Sequence, residues 1–325
     1  MNDFFVQSTS ETHMAGAATD LMAEASRWKR RVVHVLPRLD WATLEHGIRP
    51  WICLDGAHSE TLENDVLQIK KGFEYRWVWR DTPREYRNPG YRHGPLLVPL
   101  DEALFTHAQD HWFRQQAGII LLAPDDQDTL AAHLQQLHQL MGPDGFPIRF
   151  SLNGARGLEE SCEGLTANSL SRLFGPIQRF IWYAGDEHQG EWLVADSPFP
   201  GQATTALDEP IALTKADETS LDHASLAWFV RECARNIRQR TPAYGDPKND
   251  PVLWRCIDLF MHEAADQLAL TLERDVRRYV DLRFHYPQAL FVKDNALREM
   301  LTSRHIPGKQ RLVDAEARLS TLVAQ

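Results

Sequence analysis

Between Trp51 and Val194 the chain alternates short apolar runs with stretches of helical periodicity, and no strand pattern recurs after Ile211. Strands interleaved with helices favour a sheet that is layered with helices. The predicted strands are Trp51–Leu54, Tyr75–Trp79, Leu96–Leu100, Ile119–Leu122, Ile148–Leu152, Arg179–Tyr183 and Glu191–Val194. The predicted helices are Ser59–Lys71, Asp101–Gln115 and Asp125–Met141, with shorter pieces between Gly154 and Leu173. We therefore predict an α+β first lobe, a mixed sheet with flanking helices.

The strand patterns end at a segment that is rich in proline. Residues 196–213 lose periodicity and hold Pro198, Pro200 and Pro210, so we place a linker there. The predicted organisation is a flexible tail at residues 1–15, an α/β domain at 16–195, the Pro-rich linker at 196–213 and an all-α helical bundle at 214–325.

Two start signals define helices in the second lobe. Thr214 and Asp217 have the spacing of a capping box, and Asp250-Pro251 combines an N-cap with a proline at the first helical position. From Leu253 to Val280 apolar residues recur three and four apart. This periodicity predicts one helix of roughly 30 residues or more, about 50 Å long, as the spine of the bundle.

The distribution of charge limits the class of partner. Residues 1–215 hold 19 basic and 29 acidic side chains, whereas residues 216–325 hold 16 of each. An acidic lobe repels a phosphate backbone, which disfavours nucleic-acid binding. No apolar run approaches the roughly 20 residues that span a bilayer, and the first residues lack the pattern of a signal peptide. We expect a cytoplasmic protein with no membrane insertion.

Candidate catalytic and metal-binding residues are few. The cysteines lack CxxC spacing and are predicted to be buried free thiols: Cys53, Cys162, Cys233 and Cys256. His107 and His111 lie one helical turn apart, but no third ligand is indicated and a solvated helix face is the simpler interpretation. Asp55 and His58 could form an acid–base pair, yet no nucleophile accompanies them. No GxSxG or P-loop motif is present. We expect no enzyme activity, no metal and no cofactor.

Aromatic and basic residues offer candidate binding surfaces instead. Tyr75, Trp77 and Trp79 alternate along a predicted strand, which favours one face of the core over an exposed binding face. The loop 86–92 interleaves aromatic and basic residues, and basic residues follow one another on the predicted long helix. The candidate partner-binding residues are Tyr86, Tyr91, Arg92, Arg274, Arg277 and Arg278.

Three short segments carry a family resemblance. A strand ends at Asp55-Gly56 in the sequence Leu-Asp-Gly-Ala, a second strand begins at Gly94-Pro95, and Phe174-Gly175-Pro176-Ile177 precedes Trp182. In this order they resemble the adaptor or chaperone proteins that load effectors onto the spike of the bacterial type VI secretion system. The family's Asp-Pro-Arg triplet is not preserved after Phe150, where Arg156 is the retained residue.

The resemblance implies a function and a setting. It implies a non-enzymatic adaptor in the cytoplasm of a Gram-negative bacterium, which binds a cognate type VI effector and brings it to the spike protein VgrG. The residues that carry it are assigned to the fold: Asp55, Gly56, Gly94, Pro95, Arg156, Phe174, Gly175 and Pro176. Two alternatives remain at this point, a hydrolase of unknown substrate and a protein that is itself a secreted effector.

Overall fold

The computed structural model describes residues 26–44, 48–58, 60–80, 82, 90–124, 126–150, 152, 154–185, 190–199 and 209–324. The chain divides into two compact units. The first, Arg30–Ser225, is called the sheet unit; the second, Leu226–Gln325 with Met1–Lys29, is called the helical unit. The division falls inside a helix, whereas the sequence placed the boundary in the Pro-rich segment 196–213.

The sheet unit is built on a sheet of seven strands. In chain order the strands are β1 Val33–Leu36, β2 Pro50–Asp55, β3 Arg76–Trp77, β4 Pro95–Pro99, β5 Gly118–Leu122, β8 Arg179–Tyr183 and β9 Trp192–Asp196. Their spatial order is β1-β9-β8-β5-β2-β4-β3. Two further strands, β6 Gln139–Met141 and β7 Pro147–Arg149, pair as a separate hairpin.

Every neighbouring pair in the large sheet is antiparallel, which corrects the prediction of a mixed sheet. The helix Glu102–Asp110 follows β4 and precedes β5, and such a crossover normally joins parallel neighbours. Here both strands pair with β2, on opposite sides of it. The two strands joined by the helix are therefore parallel, but β2 lies between them.

Helices cover both faces of this sheet. On one face lie α2 Leu62–Lys70 and α3 Glu102–Asp110; on the other lie α4 Gln127–Leu137, α5 Ala155–Gly164 and α6 Ala167–Phe174. The central strand β5 reads Gly-Ile-Ile-Leu-Leu because both its faces are buried. A short helix, α1 Trp41–Leu44, follows β1. The α+β class predicted for the first lobe is confirmed.

Helix α7, Lys215–Arg240, begins in the sheet unit, and one carboxylate fixes its first turn there. Asp217 is fully buried and accepts hydrogen bonds from the backbone N–H and hydroxyl of Thr214, from the same groups of Thr166, and from the hydroxyl of Ser169. Burial alone would raise the pKa of Asp217, but these bonds outweigh it and lower the pKa to about 2. The starts of α6 and α7 are thereby held together.

The helical unit contains the rest of α7 and five more helices: α8 Asp250–His262, α9 Glu273–His285, α10 Gln288–Lys293, α11 Asn295–Thr302 and α12 Gly308–Val323. Between residues 226 and 324, all described regular elements are helical, so the all-α second lobe is confirmed. Its core includes Trp28 and Tyr279, both buried. Within the described ranges, no helix is both long and apolar enough to cross a membrane.

The single long helix predicted from Leu253 to Val280 is wrong. Helix α8 continues into a π-helical turn at Glu263–Gln267, and Ala269 then adopts a left-handed backbone conformation with φ of 49°. The next helix, α9, begins after Leu272. The apolar spacing is misleading because Leu268 and Leu270 lie in an irregular segment between the two helices and are nevertheless buried in the core, whereas Leu272 is 49% exposed. Among the helices of the described residues, the longest is instead α7, with 26 residues.

Candidate functional site

Two of the three segments that carry the family resemblance, Asp55–Gly56 and Gly94–Pro95, lie next to each other at one end of the sheet. Asp55, the last residue of β2, is opposite Pro95, the first residue of β4. The N–H of Gly56 donates to the carbonyl of Gly94 over 3.1 Å. A Cβ at Gly56 would lie 2.0 Å from the carbonyl oxygen of Arg92, so glycine is required by close packing. Gly56 is not among the described glycines with positive φ, so close packing, rather than backbone conformation, is what requires glycine here.

Beside this turn, Glu63 of α2 contacts residues from two other parts of the chain. Its carboxylate accepts hydrogen bonds from the Tyr75 hydroxyl at 2.7 Å and from the Trp77 indole at 3.3 Å. The guanidinium of Arg92 lies 3.0 Å from the other carboxylate oxygen. The Tyr91 ring packs edge-on against Trp77, with centroids 5.9 Å apart. We call these five residues the Glu63 cluster.

The outer part of the Glu63 cluster is accessible to a partner. The Arg92 side chain is 65% exposed, and the guanidinium groups of Arg80 and Arg92 lie 5.7 and 5.8 Å from the Tyr91 ring. Burial raises the pKa of Tyr75, and its hydrogen bond to Glu63 raises it further, so its hydroxyl stays a donor at neutral pH. Aromatic rings combined with guanidinium groups are typical anchors of protein interfaces.

The predicted row of three aromatics does not form one face. Strand β3 has two residues, and Tyr75 and Trp77 pack with the core on one side of the sheet. Trp79 lies in the following turn and packs with the core on the opposite side, against Gly94 and 5.7 Å from His138. Tyr86 lies outside the described residues, so the predicted loop 86–92 contributes Tyr91 and Arg92 to the described site.

The third motif segment lies away from this turn, at the end of α6. Gly175 has φ of 50°, and a Cβ there would lie 2.2 Å from the ring of His133. Phe174 and Pro176 are buried on either side. His133 is fully buried with Nε2 3.0 Å from the carbonyl of Leu173, and burial lowers its pKa to about 4 against the opposing effect of that contact. The imidazole is therefore neutral at physiological pH.

The retained arginine of the altered triplet is part of α5. Arg156 lies in the first turn of that helix, where it pairs with Glu160 over 2.7 Å and donates to the Ser225 hydroxyl over 3.2 Å. The bond to Ser225 ties α5 to the part of α7 that belongs to the sheet unit.

The basic residues predicted as a second binding surface lie in the helical unit, on α9. Arg277 pairs with Glu273 over 3.1 Å, and Arg278 pairs with Glu316 over 2.5 Å. Arg274 is 71% exposed and lies 3.6 Å from a carboxylate oxygen of Asp275. Carboxylates therefore offset much of the positive charge that the sequence suggested. The candidate partner-binding residues are divided between the two units: Tyr91 and Arg92 belong to the sheet unit, and Arg274, Arg277 and Arg278 belong to the helical unit.

The candidate catalytic and metal pairs have the following geometry. His58 Nδ1 lies 3.6 Å from an Asp55 carboxylate oxygen, which is longer than a hydrogen bond. The rings of His107 and His111 are 4.4 Å apart, and the pKa of His107 is lowered first by burial and then by His111. Within the described ranges, no group of three or more His, Cys, Asp or Glu side chains is placed to hold a metal ion.

Comparison with protein families gives a match over part of the sheet unit. Residues 51–172 match the model of a family described as Domain of unknown function (DUF4123). The matched segment starts at the second residue of β2 and ends inside α6. It contains the whole Glu63 cluster and the Asp55–Gly56 and Gly94–Pro95 turns, and it stops just before Phe174. Neither a curated protein nor a solved structure matches the chain.

Sequence reasoning missed the residue at the centre of this site. Glu63 lies in the first turn of α2, where an acidic residue is ordinary because it complements the helix dipole. Its partners come from positions 12 to 29 residues further along the chain, so no local spacing links them. Arg80 was likewise unmarked, because its position over Tyr91 depends on the turn that follows β3.

Proposed function

We propose that the protein is a non-enzymatic adaptor of a type VI secretion system. In this role it binds one cognate effector in the cytoplasm of a Gram-negative bacterium and brings it to the spike protein VgrG. The observation that carries the proposal is the family match over residues 51–172, which coincides with the motif resemblance at Asp55–Gly56 and Gly94–Pro95.

The local chemistry of the Glu63 cluster is compatible with binding a protein. Glu63 holds Tyr75, Trp77 and Arg92 through hydrogen bonds and an ion pair, and Tyr91 packs against Trp77, so less side-chain entropy remains to be lost when a partner covers Tyr91 and Arg92. Exposed guanidinium groups beside a tyrosine ring supply both charge and apolar area. Such a surface selects a partner through matching shape and charge.

The adaptor proposal is tested first by complex formation. The protein is co-expressed with the effector encoded beside its own gene, and separately with an effector from another locus of the same bacterium. We expect a stable complex with the neighbouring effector alone, because specificity is a difference in affinity that one surface cannot offer to unrelated cargoes. Equal retention of both effectors, or of neither, would contradict the proposal.

A charge-reversal pair tests whether α9 contributes to binding. If it does, Arg277→Glu with Arg278→Glu weakens the complex, and half-molar salt weakens the wild-type complex. Because Arg278 pairs with Glu316, the matched control is Arg278→Glu with Glu316→Arg, which restores an internal pair. If neither the double reversal nor half-molar salt changes the affinity for the effector, α9 does not contribute to binding. Tyr91→Ala then tests whether the Glu63 cluster binds the effector instead.

A further inference from the structure

We propose that a cleft in the sheet unit binds an arginine side chain of the partner protein. That this partner is the cargo effector rests on the adaptor function proposed above. Three features of the cleft favour arginine as the ligand: its aromatic walls, the hydrogen-bond acceptors that line it, and its excess of negative charge.

The cleft has a volume of about 490 Å³, within the range of ligand pockets, and is built entirely from the sheet unit. It is lined by the segment 37–41 directly after β1, by one side of α3, and by Trp192 at the start of β9. Trp41 and Phe105 meet in its wall, with ring centroids 6.0 Å apart. Phe105 and Trp192 are buried, whereas Trp41 is only partly buried. Guanidinium groups stack on aromatic rings of this kind.

The neutral polar side chains of the cleft donate hydrogen bonds within the protein and leave acceptors to a ligand. The amide nitrogen of Gln109 donates to the carbonyl of Leu39 over 3.1 Å, and the hydroxyl of Thr106 donates to the carbonyl of Glu102 over 2.9 Å. Within the described residues, the Gln109 Oε1 oxygen accepts no hydrogen bond. A guanidinium carries five N–H donors and no acceptor, so it matches acceptors that the protein leaves unused.

The charged side chains of the cleft leave one negative charge in excess. The hydroxyl and backbone N–H of Thr43 both donate to Asp40 Oδ1 and lower the pKa of Asp40, and Arg38 lowers it further. Asp40 is therefore ionised at neutral pH, and Arg38 offsets its charge. Glu102 also lines the cleft, and its carboxylate forms no ion pair with a side chain in the described part of the chain. One carboxylate thus remains for one cation.

The chemistry of the surroundings favours arginine among the possible cations. Residues 1–215 hold 19 basic and 29 acidic side chains, a balance that attracts a basic partner. A guanidinium can donate two parallel N–H groups to a carboxylate such as that of Glu102, while its plane lies on a ring such as that of Trp41. The ammonium group of lysine is a compact charge that cannot do both.

The first test uses N-acetyl-L-argininamide as the ligand of the wild-type protein and follows the indole N–H signals by NMR. The Trp41 signal is assigned with Trp41→Phe. We expect this signal to shift saturably with the arginine derivative and less with N-acetyl-L-lysinamide at the same concentrations. A Trp41 signal that does not shift, or that shifts equally with both compounds, overturns the inference without relying on the folding of any variant.

Two variants with opposite expected effects test the charge of the cleft. Glu102→Gln removes the excess negative charge and should weaken the binding of argininamide about threefold or more. Arg38→Gln removes the cation of the cleft and should strengthen binding about twofold, a gain that misfolding cannot produce. Glu60→Gln, at an exposed acid of the sheet unit outside the cleft, is the control and should bind as the wild type does. Equal affinities of Glu102→Gln and Arg38→Gln would overturn the inference.

The second test measures the same variants against the effector encoded beside this protein's gene, by isothermal titration calorimetry. We expect Glu102→Gln to lose affinity, Arg38→Gln to gain it and Glu60→Gln to leave it unchanged. If the wild-type protein binds the effector and neither cleft variant changes the affinity, the cleft does not bind the effector, and the adaptor function stands. No complex between the wild-type protein and the neighbouring effector overturns both.

Discussion

Replacing Asp217 by Asn should destabilise the sheet unit, because that carboxylate accepts five hydrogen bonds while fully buried. Folding lowers its pKa from the ordinary 3.8 to about 2, which corresponds to about 2.5 kcal/mol of stability at neutral pH. Asn keeps the volume but presents an NH₂ group to donors on one side. We expect a loss of about 2–3 kcal/mol in the free energy of unfolding.

Urea unfolding followed by circular dichroism measures this loss. Since the folded pKa is depressed, the stabilisation is complete above pH 3.8 and disappears as the pH falls through 2, so the gap between wild type and Asp217→Asn should shrink in acid. Glu218→Gln is the matched control, because its partner Lys215 is exposed and a surface ion pair of this kind contributes little to stability. Equal stability of Asp217→Asn and wild type at pH 7 would refute the reasoning.

Three further predictions concern the buried packing of the sheet unit. Gly175→Ala should lower the free energy of unfolding by about 2 kcal/mol or more, because the residue has positive φ and an added Cβ would overlap His133. Gly145→Ala is its control: Gly145 also has positive φ but no atom lies near the added Cβ, so the loss in the same urea titration should be about 1 kcal/mol. The free energy of unfolding should fall by about 3 kcal/mol as the pH falls from 6.5 to 4, because His133 binds a proton in the unfolded chain at a higher pH than in the fold. His133→Gln should lack this part of the pH dependence, and a variant with the same pH profile as the wild type would contradict the prediction. Gly56→Ala should lower the melting temperature, because its Cβ would overlap the carbonyl of Arg92; an unaltered value in calorimetry would show that the turn adjusts.

The central strands were predictable from sequence because burial on both faces leaves an uninterrupted apolar run. Arg179–Tyr183 was placed at its observed bounds, and Ile119–Leu122 differs from β5 by one residue. The edge strands carry no such signal. Val33–Leu36 follows two arginines and has a single buried residue, so β1 was missed. The antiparallel arrangement was also hidden, because it depends on β2 inserting between β4 and β5, two strands that follow one another in the chain.

The candidate site was predictable only in part. Asp55–Gly56 and Gly94–Pro95 were recognised as motif segments, but their contact arises from strand pairing across 40 residues of chain. Glu63 has no marker because the partners that distinguish it come from other elements. The charges on α9 were overestimated, since the acids that offset Arg277 and Arg278 include one from a separate helix, at Glu316.

The proposed role of the protein, carrying one effector to the secretion apparatus, can be measured as effector secretion in a deletion strain. The gene is deleted and complemented with the wild-type sequence, and the effectors reaching the medium are quantified by mass spectrometry. We expect the neighbouring effector to disappear from the medium, the other effectors to stay at wild-type levels, and complementation to restore the missing one. Secretion of the neighbouring effector at the wild-type level in the deletion strain would show that the protein does not carry it.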